Sequence, residues 1–279
     1  MRGILVLAVV TSVHALAAPA PPPTIEDALD HLYNFDFPAS HEILNRYITE
    51  HPHEALPYAF RASAYLFTEL DRLGILESEF LIDDKKIIAK SKPLEPDPAT
   101  AVKFQQTVEQ AQLLGEAALK VNPNDRQALF ALCVTGGLAT DYMALIEKHQ
   151  FMSLSLAKRS NAYAQRLLQL DPQFYDAYLT SGFSEYMVAS LPFFIRWFVH
   201  FDNVAGNKER GIANLELAAR SGHYFRPFAQ ILLGIIDLRN KRLRPAQARL
   251  VQLVRQYPAN PLFRKELGKL NEKLGAAAN

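Results

Sequence analysis

The chain has 279 residues, 49% of them hydrophobic, with 30 basic and 29 acidic residues and a formal net charge of +1. That apolar share suffices for a sizeable core and excludes low-complexity disorder. The near-zero balance gives no electrostatic footprint for nucleic acid and no acidic tail for a cationic partner. Met1-Arg2 places one charge ahead of an apolar run, Ile4 to Val13, and Ala15-Leu16-Ala17 supplies a small-x-small pattern. This order predicts a secretory signal peptide over 1–17, cut after Ala17, and hence export to the periplasm or beyond. The run is well short of the roughly 20 apolar residues a spanning helix needs. No cysteine near Ala17 offers a lipid anchor. Residues 18–23, rich in proline, read as an extended linker.

From Thr24 to the end, apolar residues recur at three and four, the helical spacing, with no sustained period of two. The pattern predicts helices near 25–34, 37–51, 55–72, 98–121, 125–149, 153–170, 174–189, 207–221, 225–240, 243–257 and 261–274. Thr24 with Asp27 suits a capping box, and Asp97 before Pro98 puts an acceptor at the cap and proline at the first helical position. Helix-ending markers recur at His51-Pro52, Asn122-Pro123, Asp171-Pro172 and Tyr257-Pro258, with Ser221-Gly222 in the same role. Proline cannot continue a helix, so it fixes the turn between units. Each helix before a marker is rich in Ala and Leu, and each one after is rich in aromatics. The marker spacings, 71, 49, 50 and 36 residues, are irregular. Extra residues over 74–97 and 191–206 read as inserted segments.

The last unit carries the clearest pattern. Leu233-Gly234, then Ala246, Leu250, Leu253 and Pro258, place small residues where two helices approach and bulky ones between them. With Pro52, Pro123, Pro172 and Gly182, these residues resemble the tetratricopeptide repeat, whose period is roughly 34 residues. Gly182, Tyr186, the turn Ser190-Leu191-Pro192-Phe193 and the stretch Gly206 to Gly211 extend the resemblance to divergent bacterial members of that group and, more distantly, to a eukaryotic group of divergent repeat proteins. It covers about Leu179 to Leu274. What the resemblance implies is architecture: an all-α fold, an α-α superhelix of about five irregular hairpins over 24–279 with a C-terminal capping helix. It implies no chemistry.

The residues themselves supply little chemistry. There is no His-Glu-x-x-His, no Cys-x-x-Cys and no Gly-x-Ser-x-Gly. His51-Pro52-His53 has no third ligand and reads as solvated turn histidines. Gly206–Gly211 lacks the Lys-Ser/Thr of a phosphate loop and reads as a loop feeding a helix. Asp83-Asp84-Lys85-Lys86 reads as a solvated charged loop. Cys133, the single cysteine, lies in an apolar helical run and reads as a buried inert thiol. No metal and no cofactor are expected, and the chain reads as a binding scaffold for a protein or peptide rather than an enzyme.

The most unusual stretch is Leu191 to Phe201, nearly all apolar around the only tryptophan. Packing as an inserted helix is one reading. An exposed patch with Phe194, Arg196 and Trp197 as interface anchors is a second. Peripheral membrane contact is a third. Tyr178 and Tyr186 are further candidates for a binding groove. Tyr142, Tyr163 and Tyr175 share that reading, and for all five the alternative is packing between helices, the commoner role of helical aromatics.

Overall fold

In a computed structural model of the chain, residues 23–77, 94–190 and 206–276 are described. The expected signal peptide with Ala17, most of the linker, most of the 74–97 insertion including Asp83 to Lys86, and residues 191–205 with Phe194, Arg196 and Trp197 lie outside them. All regular structure among the described residues is helical. In chain order the helices are α1 Ile25–Tyr33, α2 Phe37–Glu50, α3 Ala55–Arg72, α4 Pro98–Val121, α5 Arg126–Asp141, α6 Gln150–Leu170, α7 Ala177–Ser190, α8 Lys208–Ser221, α9 Arg226–Arg239, α10 Leu243–Gln256 and α11 Pro261–Ala276. The chain is all-α.

Local chemistry explains where the helices start and stop. Thr24 and Asp27 form a full capping box on α1. Asp97 accepts from the Thr100 N–H, with proline at the first helical position of α4, and Asp125 accepts from the Ala128 N–H to start α5. The four proline markers share one turn. The residue before proline donates its N–H four residues back, from His51, Asn122, Asp171 and Tyr257, each at 2.8 Å. Its own carbonyl then accepts from the N–H three residues ahead, at Glu54, Asp125, Phe174 and Asn260. Proline clashes with a helical predecessor. The marker residues accordingly leave the helical region, with ψ of 57°, 98°, 92° and 69°.

Three boundaries depart from the sequence expectation. The helix expected over 125–149 ends at Asp141 and continues as a π-helical turn, Tyr142–Ile146. Lys148, in the left-handed region at φ 61°, closes that segment, and α6 starts at Gln150 rather than 153. The helix expected from 174 begins at Ala177, because residues 171–176 form consecutive turns that present Asp176.

Each helix packs on its chain neighbours, and the three most extensive pairings are α5 with α6, α7 with α8 and α3 with α4. The first helices of successive units also touch, α1 to α3, α3 to α5 and α5 to α7. The aromatics of these first helices converge. Phe60 and Phe130, both fully buried, meet Tyr224 and Phe225 of the loop before α9, with ring centroids 5.0 Å apart for Phe60–Tyr224 and 5.6 Å for Phe130–Phe225.

Within α7 and α8, Gly182 and Gly211 let two backbones touch. A Cβ on Gly182 would sit 2.7 Å from the Gly211 carbonyl oxygen, and one on Gly211 would sit 2.8 Å from the Gly182 carbonyl oxygen. Gly234 corrects an expectation, since a Cβ there would meet nothing within 4 Å. The close approach expected at Leu233-Gly234 is therefore not made by that glycine. Leu233, Ala246 and Leu253 are buried as a helix pair requires, and Leu250 is half-buried against Leu253 and Tyr257.

The two ends of the fold meet. Tyr33 stacks obliquely on Tyr257 at 5.2 Å and donates its hydroxyl to the Tyr224 carbonyl. Asn260, fully buried, donates to the Tyr33 carbonyl at 2.7 Å, while its own side-chain oxygen accepts from Leu262 and Phe263 to start α11. Lys265 and Lys269 of α11 hold Glu77 at 2.7 and 3.0 Å.

Candidate functional site

A groove of about 190 Å³ opens between α3 and α4. On α3, Tyr58, Arg61 and Tyr65 share a face because three- and four-residue steps return to the same side of a helix. On α4, Lys103, Gln106, Thr107 and Gln110 do the same, and together these seven side chains line the groove. From α2, His41 lays its ring 4.3 Å from that of Tyr65. The lining thus has two cations, two phenols, two amides and a hydroxyl, and no carboxylate.

Arg61 donates to the Tyr65 hydroxyl at 3.2 Å, and its guanidinium carbon lies 5.6 Å from the centre of that ring. Its Nε and the Nδ1 of His41 are buried atoms with no hydrogen-bond partner. A half-buried guanidinium is ordinarily matched by an acid, and elsewhere this fold does so. Arg72 pairs with buried Glu69, Arg210 with buried Glu185, and Arg249 with Asp237 and Glu216. Asp97 accepts from the N–H and hydroxyl of Thr100, both at 2.8 Å, and these two bonds, ahead of the charges of Arg72 and Lys103, hold its carboxyl below the usual range. Burial first, then the charges of Arg61 and Lys103, push the His41 imidazole down to about 4, so it is neutral at pH 7. Among the described residues that line the groove there is no carboxylate to compensate its positive potential.

The chain matches no protein-family model, no curated protein and no solved structure. The groove's own geometry therefore carries the functional reading.

The binding candidates read from the sequence sit elsewhere. Tyr186 is a core residue, 4% exposed, packed beside the Gly182–Gly211 crossing. Its ring is thereby closed to a partner. Tyr178 is half-buried and donates its hydroxyl to the Pro172 carbonyl, as Tyr58 does to Pro52 two repeats earlier, so both staple a helix to the turn before it. Tyr142 stacks on Phe104 at 4.6 Å, and Tyr163 packs against the main core. His51 pairs with Glu54 and stacks on Tyr47. Asn207 caps α8 by accepting from the Arg210 N–H, so the Gly206–Gly211 stretch is a loop feeding a helix. Cys133 is buried, donates to the Thr180 hydroxyl, and burial pushes its thiol up to about 11. Among the described residues no three His, Cys, Asp or Glu side chains are placed to hold a metal ion. Residues Arg126–Ile146 are long and apolar enough to cross a membrane, yet Leu129, Phe130 and Ala131 within them are fully buried in the protein core.

The groove residues were missed in the sequence because neither stripe carries a motif. The available signal was a polar-aromatic face, Tyr58, Arg61 and Tyr65, on an otherwise apolar helix.

A second cluster of polar groups serves the fold. Asp176, buried in the turn before α7, accepts from the N–H groups of His223, Tyr224 and Phe225 at 3.0, 3.0 and 2.8 Å. Burial raises its proton affinity, and the three N–H donors oppose that. The carboxylate thereby anchors the loop whose Tyr224 and Phe225 enter the core.

Proposed function

We propose that this chain is a non-catalytic helical scaffold that binds a protein or peptide partner, with the α2–α3–α4 groove as its docking point. The architecture behind it is an α-α superhelix of tetratricopeptide type, with five irregular hairpins closed by α11. The shared proline turn and the pairing of successive helices support this reading. A stack of helix pairs gives a rigid frame, and rigid placement of aromatic and arginine anchors is what recognition requires. The apolar run Ile4 to Val13 followed by the small-x-small pattern ending at Ala17 supports export, which would place the scaffold in the periplasm or outside the cell.

One observation carries the binding role: among the described residues, two cations and two tyrosines line the groove and no acid does. Its volume falls below the roughly 300–1,000 Å³ typical of small-molecule sites. A side chain or chain end from a larger partner fits that size better than a whole cofactor. The test is selection of a displayed random-peptide library on the full chain, with parallel selection on Tyr58→Ala and Tyr65→Ala. Peptides enriched on the parent and lost on both variants are expected. Equal enrichment on all three would remove the groove from the function.

A further inference from the structure

We propose that the groove formed by α2, α3 and α4 is a site for a single oxyanion group, held between Arg61 and Lys103. This rests on the scaffold reading above and names the chemistry of the group that enters.

The argument starts with what the fold leaves uncompensated. Arg61 forms the floor of the groove, with Tyr58 and Tyr65 at i−3 and i+4 on the same helix. Its contact with Tyr65 engages one Nη, and its buried Nε has no hydrogen-bond partner. Lys103 is exposed at the rim, and the same helix brings Gln106 and Gln110 one and two turns further on. An oxyanion is an acceptor with several lone pairs, and a guanidinium, an ammonium, amides and a hydroxyl are all donors. A cationic guest would face two like charges here. A neutral apolar guest would leave the Arg61 donors desolvated and unsatisfied. An anion satisfies both requirements, and neither a carboxylate nor a phosphate needs any donor beyond those present.

His41 makes the site self-reporting. The charged groups that act on it are Arg61 from α3 and Lys103 from α4, both cationic, and Tyr65 covers one face of its ring. Burial contributes most to keeping the imidazole neutral, and an anion between Arg61 and Lys103 opposes the part that their charges add. Occupancy therefore draws His41 towards its ordinary range, and binding takes up a fraction of a proton in mildly acid solution.

Two sources of oxyanion share this chemistry, and the experiment separates them. The full chain is titrated by NMR, following the Arg Nε–Hε and His ring resonances, with three probes. These are N-acetylglutamate amide, its neutral isostere N-acetylglutamine amide, and inorganic phosphate. The expected result is saturable shifts of Arg61 and His41 with an anionic probe and none with the glutamine compound. Whichever anion saturates lower identifies the source, a peptide carboxylate or a phosphate group. The His41 titration should move up by roughly one unit or more when the site is filled. Arg61→Gln and Lys103→Gln should each weaken binding by roughly tenfold or more. Lys103 is exposed, so that variant keeps the test free of folding effects. His41→Gln should abolish the proton uptake. No saturation by roughly 50 mM anion overturns the proposal. So does an anion that binds without moving His41, or a glutamine probe that matches glutamate. In that last case the groove survives as a peptide site while its oxyanion chemistry fails. If library-selected peptides also ignore the groove, the scaffold reading fails with it.

Discussion

Three glycines within helices separate packing from propensity. Alanine in place of glycine inside a helix gains about 1 kcal/mol from backbone entropy alone. On that basis Gly182→Ala, Gly211→Ala and Gly234→Ala should all stabilise. The structure predicts opposite signs. A methyl at Gly234 meets nothing within 4 Å, so Gly234→Ala keeps its gain, about 0.5–1 kcal/mol. A methyl at Gly182 lies 2.7 Å from the Gly211 oxygen and 2.9 Å from the Leu215 nitrogen, where ordinary contact begins at 3.4 Å. Both neighbours are backbone, so no side chain can rotate away. The helices must part by about 0.7 Å, the difference between 2.7 and 3.4 Å. Overpacking of this kind costs about 1–3 kcal/mol, which outweighs the propensity gain. Gly182→Ala and Gly211→Ala should each lose about 0.5–2 kcal/mol net. The double variant should lose less than the sum, because one separation of α7 from α8 admits both methyls. Urea unfolding followed by far-ultraviolet circular dichroism, compared at constant slope, measures this. A Gly182→Ala midpoint raised as far as that of Gly234→Ala would refute the close crossing.

Other consequences follow from buried polar groups. Asp176→Asn keeps one acceptor oxygen but turns an amide N–H₂ against a backbone donor. It should cost about 2–3 kcal/mol in unfolding free energy and speed hydrogen exchange at Tyr224 and Phe225, while an unchanged midpoint would mean the clamp is idle. Cys133, with its thiol pushed up to about 11, is thiolate in about one molecule in ten thousand at pH 7. Its reaction with a thiol reagent should therefore track global unfolding, and rapid labelling of the native chain would contradict its burial. His41 is held at about 4 in the fold against an ordinary 6.5. The unfolded chain thus binds the extra proton first, so the stability from keeping this ring neutral is full above pH 6.5 and is lost as pH falls towards 4. His41→Gln should flatten that part of the stability profile, and an identical acid limb in both proteins would remove His41 as its source.

Much of the fold was readable because its signals are local. Helical spacing, the caps at Thr24 and Asp97, and the proline turns at Pro52, Pro123, Pro172 and Pro258 each act within a few residues. The aromatic helices after those turns were visible too, and Phe60 and Phe130 now account for them at the centre of the core. The π-helical turn after Asp141 was not readable, since Tyr142 to Ile146 carry the same apolar pattern a continuing α-helix would. Gly182 and Gly234 look alike in sequence, and only the position of the neighbouring helix distinguishes them. Tyr186 shows the same limit: an aromatic on a helix does not announce which face is covered. The groove was hidden for a topological reason. Its halves, Tyr58 to Tyr65 and Lys103 to Gln110, are separated by the longest insertion in the chain, and no local rule says that two polar stripes so far apart will face each other.

Hydrogen exchange of the full chain with and without a library-selected peptide tests the scaffold most directly. The account predicts slower exchange across residues 58–65 and 103–110, with α9 and α10 unchanged. Protection confined to α9 and α10, or spread evenly over the whole chain, would contradict it.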